Sequence, residues 1–282
     1  MNHNGYAHPE VLVETDWLAH HLAAPNLRLV EVDVDPGVFH QSHIPQAIAW
    51  NWRTDTQDPL RRNILSAGAF SKLMARSGIG PDTTVILYGD KNNWFAAYAF
   101  WLLKYYRHPD VRMLNGGRKK WAVESHPLTT RTARPAPTDY PVPPSDTSIR
   151  ALREQVQASL YLDSTALVDV RLAREFSGEM LAPDHLLHEA AMRGGHLPGA
   201  VNISWGQTVH EDGTFKASAE LAALYAGQQV TADKNVIVYC RIGERSAHTW
   251  FVLKYLLGYP HVRNYDGSWA EWGNLIDVPI ER

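Results

Sequence analysis

The chain has 282 residues, 45% of them hydrophobic and 20% charged, with a formal charge of −3 and one cysteine, Cys240. That balance excludes wholesale disorder and gives no basic field to attract nucleic acid. A lone thiol excludes an internal disulfide and any thiolate-caged zinc or iron–sulfur centre within the chain. No run approaches the roughly 18 apolar residues that span a bilayer. The opening MNHNGYAHPE has neither a basic n-region nor an apolar h-region, so a cytoplasmic protein with no membrane partner is expected.

Taken in chain order, the elements repeat. Leu29-Val30-Glu31-Val32-Asp33 is followed by His43-Ile44-Pro45-Gln46-Ala47, an apolar run over 85–88 and a helical pattern over 94–106. A stretch over 129–148 then carries Pro135, Pro137, Pro141, Pro143 and Pro144, the composition of an extended and stiff linker. Beyond it, strands are expected over 167–170, 200–203, 236–239 and 262–265, with a helix over 246–257. Segment 236–272 matches 85–121 at an offset of 236 − 85 = 151, with 11 identities in 37 positions. His196-Leu197-Pro198-Gly199-Ala200 answers the segment at 43–47, and Leu167-Val168-Asp169-Val170-Arg171 answers the one at 29–33.

The chain is therefore read as a duplicated α/β domain, with residues 1–128 and 149–282 joined by the linker at 129–148. Each copy is expected to hold a mainly parallel sheet with helices on both faces. Ligands in such sheets bind at the carboxyl ends of the strands, and Cys240 stands at that end.

The loop Cys240-Arg241-Ile242-Gly243-Glu244-Arg245-Ser246 lies between a buried strand and a helix. Converging backbone amides, the helix N-terminus and two arginines all favour a thiolate, so the Cys240 thiol is expected below the ordinary value of about 8.5. Gly243 supplies the backbone freedom that a tight cradle needs. At the corresponding place the first copy reads Gly89-Asp90-Lys91-Asn92-Asn93-Trp94, without the thiol or the arginines. It is expected to be catalytically silent.

These features resemble the tandem-domain rhodanese family of thiosulfate sulfurtransferases. The resemblance rests on the degenerate first copy, the Pro-rich linker and the strand at 167–171. It rests also on Gly195-His196-Leu197-Pro198-Gly199-Ala200, the Cys-x-x-Gly-x-Arg-Ser loop at 240–246 and Asp266-Gly267-Ser268-Trp269. It implies two tandem rhodanese-like domains and a Cys240 persulfide formed from thiosulfate. The sulfur then passes to cyanide, a small thiol or a thiol protein, with no metal or organic cofactor. Arg241, Ile242, Gly243, Glu244, Arg245 and Ser246 are the implied substrate-binding loop, with Asp169, Arg171 and Glu175 in support.

The loop departs from the family's at Ile242 and at Glu244-Arg245, and Glu175 falls where the family carries a substrate-binding arginine. Two readings of Arg245 stay open: binding of the donor anion, or a pair with Asp169 that pins the loop. Ser246 reads as an N-cap or as a hydrogen-bond donor to the sulfur, and His248 as a helix-surface or interface residue. His196 and His43, being duplicated, point to a shared structural role. His20, His21, His185 and His188 are scattered without metal-ligand spacing. The alternatives for the chain are a 3-mercaptopyruvate sulfurtransferase and a non-catalytic sulfur carrier. A Cys-dependent phosphatase is disfavoured, because four residues rather than five separate Cys240 from Arg245.

Overall fold

Short β-branched runs alternating with helices build two separate parallel sheets. The structure is a computed structural model that describes residues 4–182 and 191–282; His185 and His188 lie outside the described residues. The described chain gathers into two compact units, one of Glu10–Asp146 with His210–Phe215, the other of Met1–Pro9, Thr147–Val209 and Lys216–Arg282.

The unit built on Glu10–Asp146 runs β1 (Leu12–Val13), α1 (Thr15–His21), β2 (Leu27–Asp33), α2 (Pro36–Gln41), β3 (Ile48–Asn51) and α3 (Trp52–Asp55). It continues through α4 (Ala67–Arg76), β4 (Thr84–Tyr88), α5 (Asp90–Tyr105), β5 (Val111–Leu114) and α6 (Gly117–Val123). Its five strands lie in the order β1-β5-β4-β2-β3, all neighbours parallel. Within α5, Lys91, Asn92 and Asn93 have φ of 51°, 54° and 66°, so regular helix begins at Trp94, the expected start.

The other unit runs α7 (Arg153–Ser159), β6 (Thr165–Asp169), α8 (Ala173–Phe176), β7 (Val201–Asn202), α9 (Ser218–Ala226), β8 (Asn235–Tyr239), α10 (Glu244–Phe251), β9 (Val262–Asn264) and α11 (Ser268–Trp272). Its strands follow the order β7-β6-β8-β9, again all parallel. These four strands repeat the β3-β2-β4-β5 order of the first sheet, which adds β1 at its edge, and β8 occupies the place of β4. Val236, Ile237, Val238 and Tyr239 are all buried, which is why this central strand reads as an unbroken apolar run.

Two differences from expectation have local causes. Gly243, with φ of 103°, turns the chain into helix at Glu244, two residues before the expected start at 246. Past Phe251 the helix widens into a π turn over Val252–Leu256, closed by the Leu257 N–H donating to the Val252 carbonyl at 2.9 Å. The Pro-rich stretch is extended, as its composition implies, but it is also strapped down. Thr138 N–H donates to the Ala75 carbonyl at 3.0 Å, Ser71 Oγ donates to the Tyr140 carbonyl at 2.6 Å, and Tyr140 is itself buried.

The duplication extends to side-chain contacts. His43 stacks on Phe39 at 3.8 Å and donates from Nδ1 to its carbonyl at 2.8 Å; His196 does the same to Phe176, at 3.6 Å and 2.9 Å. These duplicated histidines share the structural role that their repetition implied. Tyr88 accepts from the Ile44 N–H at 3.0 Å, and Tyr239 from the Leu197 N–H at 3.1 Å. Under each tyrosine lies a buried ion pair, built differently. Glu31 meets Arg118 of α6 at 2.6 Å, whereas Asp169 at the end of β6 meets Arg171, two residues on in the turn that follows, through Nε at 2.9 Å. Arg171 also lies 4.7 Å over the Trp269 ring. Each copy thus sets a guanidinium against this carboxylate, supplied from a different position in the two copies.

Candidate active site

β8 ends at Tyr239, and the chain turns at once into the loop carrying Cys240. The loop is pinned from α11: the Trp269 N–H donates to the Cys240 carbonyl at 3.0 Å and the Ala270 N–H to the Arg241 carbonyl at 2.9 Å. The Cys240 N–H donates to Ser268 Oγ at 3.1 Å, and that hydroxyl donates in turn to the Tyr265 carbonyl at 2.7 Å. Ser268 holds φ of 53°, a left-handed conformation uncommon outside glycine. Sequence reasoning quoted its Asp-Gly-Ser-Trp motif without seeing that the serine braces the loop. It also missed Arg150, which forks onto Asp266 at 2.8 and 2.9 Å.

Gly243 is where the cradle closes. Its N–H donates to Cys240 Sγ at 3.1 Å. A Cβ built there would lie 3.0 Å from the Asp266 backbone, so both the positive φ and the close approach call for glycine. Ser246 is not the N-cap. It sits inside α10 with its Oγ 3.6 Å from Sγ and 3.1 Å from the Gly243 carbonyl. A hydroxyl has one proton, so it serves one of these partners at a time. Ile242 is buried beside the loop.

The supporting carboxylates correct the expected pairings. Arg245 does not pair with Asp169, which Arg171 occupies. It forks onto Glu175, Nη1 to Oε2 at 2.8 Å and Nη2 to Oε1 at 3.0 Å. Burial works to raise the Glu175 carboxyl, and the Arg245 guanidinium more than offsets it, leaving it below the ordinary range. His248, expected at a surface, is fully buried with its ring edge-on to Trp205 at 5.6 Å. Burial lowers its pKa to about 3, so it is neutral at working pH and a poor base.

The thiol departs from expectation in the same way. Burial pushes Cys240 up from its ordinary value and the Glu244 carboxylate adds to this, against Arg245 and the Ser246 hydrogen bonds, which pull it down. The sequence argument counted Arg241 and Arg245 against Glu244 alone. It lacked both the desolvation and the second carboxylate, Glu175. With the thiol neutral, two guanidinium groups face two carboxylates. The Sγ–H then lies 3.5 Å from Glu244 Oε2.

Among the described residues no group of three or more His, Cys, Asp or Glu is placed to hold a metal ion. No helix there is long and apolar enough to cross a membrane.

A rhodanese-like domain family matches the chain twice, over residues 14–124 and 151–275. The chain belongs to the rhodanese family. Both rhodanese-like domains are present, each an α/β unit on a parallel sheet, and the family is one of sulfurtransferases. The chain is 54% identical over 281 residues to the sulfur carrier protein TtuD of Thermus thermophilus, covering 99% of each chain. It is 51% identical over 275 residues to a Mycolicibacterium smegmatis protein with the provisional name thiosulfate sulfurtransferase, covering 98% of this chain and 99% of that one. Among solved structures, the anaerobic ergothioneine biosynthesis enzyme of Chlorobium limicola shares this rhodanese fold. It has a TM-score of 0.85 at 23% identity, over 98% of this chain and 71% of that one.

Proposed function

We propose that this rhodanese moves the outer sulfur of thiosulfate to a thiophilic acceptor through a persulfide on Cys240. The observation that carries the proposal is the sulfur at the strand end, with the Gly243 N–H aimed at it from 3.1 Å. The Cys240 thiolate attacks the outer sulfur of the donor, the donor's S–S bond breaks, and sulfite leaves with the bonding electron pair. The persulfide anion left on Cys240 faces the Gly243 amide and the Ser246 hydroxyl, dipoles already oriented before charge arrives. An acceptor such as cyanide or a thiolate takes the terminal sulfur and restores the Cys240 thiolate. This is covalent catalysis in two half-reactions. Since the chain has one cysteine, no second thiol within it can resolve the persulfide.

Arg241 is assigned to the donor anion, because Arg245 is clamped by Glu175 and works through the loop. Gly89 stands at the nucleophile's place in the first copy. A Cβ there would meet the Val32 carbonyl oxygen at 2.3 Å, which supports a catalytically silent role for that copy. The domain division at 1–128, 129–148 and 149–282 is kept as part of this proposal.

Intact-mass measurement after thiosulfate treatment tests the reading. Wild type should gain one sulfur atom, cyanide should remove it, and Cys240→Ala should gain none. Failure of wild type to gain sulfur from thiosulfate while gaining it from 3-mercaptopyruvate would replace the donor. A second reading, a sulfur carrier, is favoured by the name of the 54% identical relative. It predicts a persulfide that passes to a protein acceptor and turns over slowly with cyanide.

A further inference from the structure

The cradle buries the Glu244 carboxylate against the thiol. Glu244 is 2% exposed and Cys240 fully buried. The Sγ–Oε2 distance is 3.5 Å, with the thiol donating and the carboxylate oxygen accepting. The sulfur's own lone pairs take the Gly243 N–H at 3.1 Å and the Ser246 hydroxyl at 3.6 Å. Gly243 arranges this: its left-handed turn places Glu244 first in α10, four residues after the cysteine.

We infer that Glu244 Oε2 is the base that takes the Cys240 thiol proton when the donor arrives, and the acid that returns it when the acceptor leaves. The inference rests on the sulfur-transfer reading and assigns the proton that this reading leaves unplaced. In the first half-reaction the S–H proton passes to Glu244 Oε2. The thiolate electron pair forms the new S–S bond, the donor's S–S bond breaks, and sulfite departs with that pair. In the second, the acceptor anion takes the terminal sulfur, the Cys–S bond electrons return to Sγ, and the Glu244 proton goes back to it. Atoms and charge balance with no further reactant.

The groups around the pair leave few other bases. Glu175, from α8, has both oxygens on Arg245 and accepts the Leu172 N–H at 3.1 Å besides. Asp169 is held by Arg171, and Asp266, beyond β9, by Arg150. His248, one turn along α10, is a poor base in its buried position. Arg245 Nε stands 3.8 Å from Glu244 Oε1, on the side away from the thiol contact, and Arg241 is buried in the same loop.

Single-turnover sulfur uptake from thiosulfate, read by intact mass across pH, tests this on the full chain. Glu244→Gln is expected to slow uptake about 100-fold at neutral pH, with the rate recovering as pH rises and hydroxide replaces the lost base. Glu244→Asp, which keeps the base but withdraws it, should fall between, with a pH profile like wild type. A passive carboxylate predicts the opposite sign. Removing its charge would ease ionisation, so uptake by Glu244→Gln as fast as wild type or faster at neutral pH overturns the inference. The infrared S–H stretch, identified by its loss in Cys240→Ala, reads the contact with no donor present. It should move toward the free-thiol position in Glu244→Ala, and an unmoved band overturns the contact. Wild type taking up no sulfur while its band behaves as expected would sink the transfer reading and leave the hydrogen bond standing.

Discussion

Glu175 and Arg245 lie 70 residues apart in the chain and meet as a two-pronged ion pair, both buried, at 2.8 and 3.0 Å. The pair ties α8 to the first turn of α10 and so adds a second anchor for the loop beside the one from α11. Its carboxylate stands where the rhodanese resemblance implied a substrate-binding arginine, and its guanidinium is thereby held as scaffold.

Breaking this pair from one side strands a buried charge. Glu175→Gln should cost about 3–5 kcal/mol of stability, the usual penalty for removing one partner of a buried pair. Chemical denaturation measures it directly. A loss below about 1 kcal/mol, the range of an exposed pair, would contradict the clamp.

The proposed silence of the first copy has a steric side that can be probed. Gly89→Cys places a thiol at the nucleophile's position, but its Cβ would lie 2.3 Å from the Val32 carbonyl oxygen and 3.0 Å from Asp33 Oδ1. In a Cys240→Ala background the variant should take up no sulfur from thiosulfate. It should also lose about 1–3 kcal/mol, as overpacking does. Sulfur appearing on residue 89 would show that the missing thiol alone disables that copy.

How much of this was legible beforehand follows from the range of each interaction. The strands, their parallel arrangement and the nucleophile's place came from local patterning and the repeat, since Val236–Tyr239 and its counterpart at 85–88 carry their burial in their composition. The histidine pair, 43 and 196, was legible for the same reason. Arg245's partner was not: Asp169 and Glu175 both lie near in sequence, and only the turn after β6 decides which one Arg171 takes. Nor was the thiol's pKa. Arginines, amides and glycine can be counted in the loop, but the desolvation that opposes them depends on packing from β9, α10 and α11. Glu244 reads in sequence as one opposing charge, and only its distance from Sγ gives it a role.

A buried acid in the first copy predicts how stability changes with pH. Burial, with Asp90 and Glu31 nearby, pushes the Asp33 carboxyl from the ordinary 3.8 up to about 8, although the Asp90 N–H donating to it works the other way. Its side chain is buried and faces the Glu31 carboxylate, which also opposes its ionisation. A folded-state value above the unfolded one means the native chain holds the extra proton between those limits. The contribution is therefore whole below about 4 and is lost as pH rises toward 8. Asp33→Asn, fixed in the neutral form, should be more stable than wild type at pH 8 by up to roughly 5 kcal/mol and should lack this slope. Thermal melts of both proteins from pH 5 to 8 check it. Parallel curves would show that Asp33 titrates as an ordinary carboxylate.

The central claim, sulfur carried on Cys240, is tested most directly by isotope. The full chain is treated with thiosulfate bearing heavy sulfur at its outer atom only, and the peptide containing Cys240 is mapped by mass without reductant. The label should sit on Cys240 as a persulfide, unlabelled sulfite should be released in equal amount, and cyanide should remove the label as thiocyanate. Labelled thiocyanate formed while Cys240 stays unmodified, or label found on any other residue, would contradict the account.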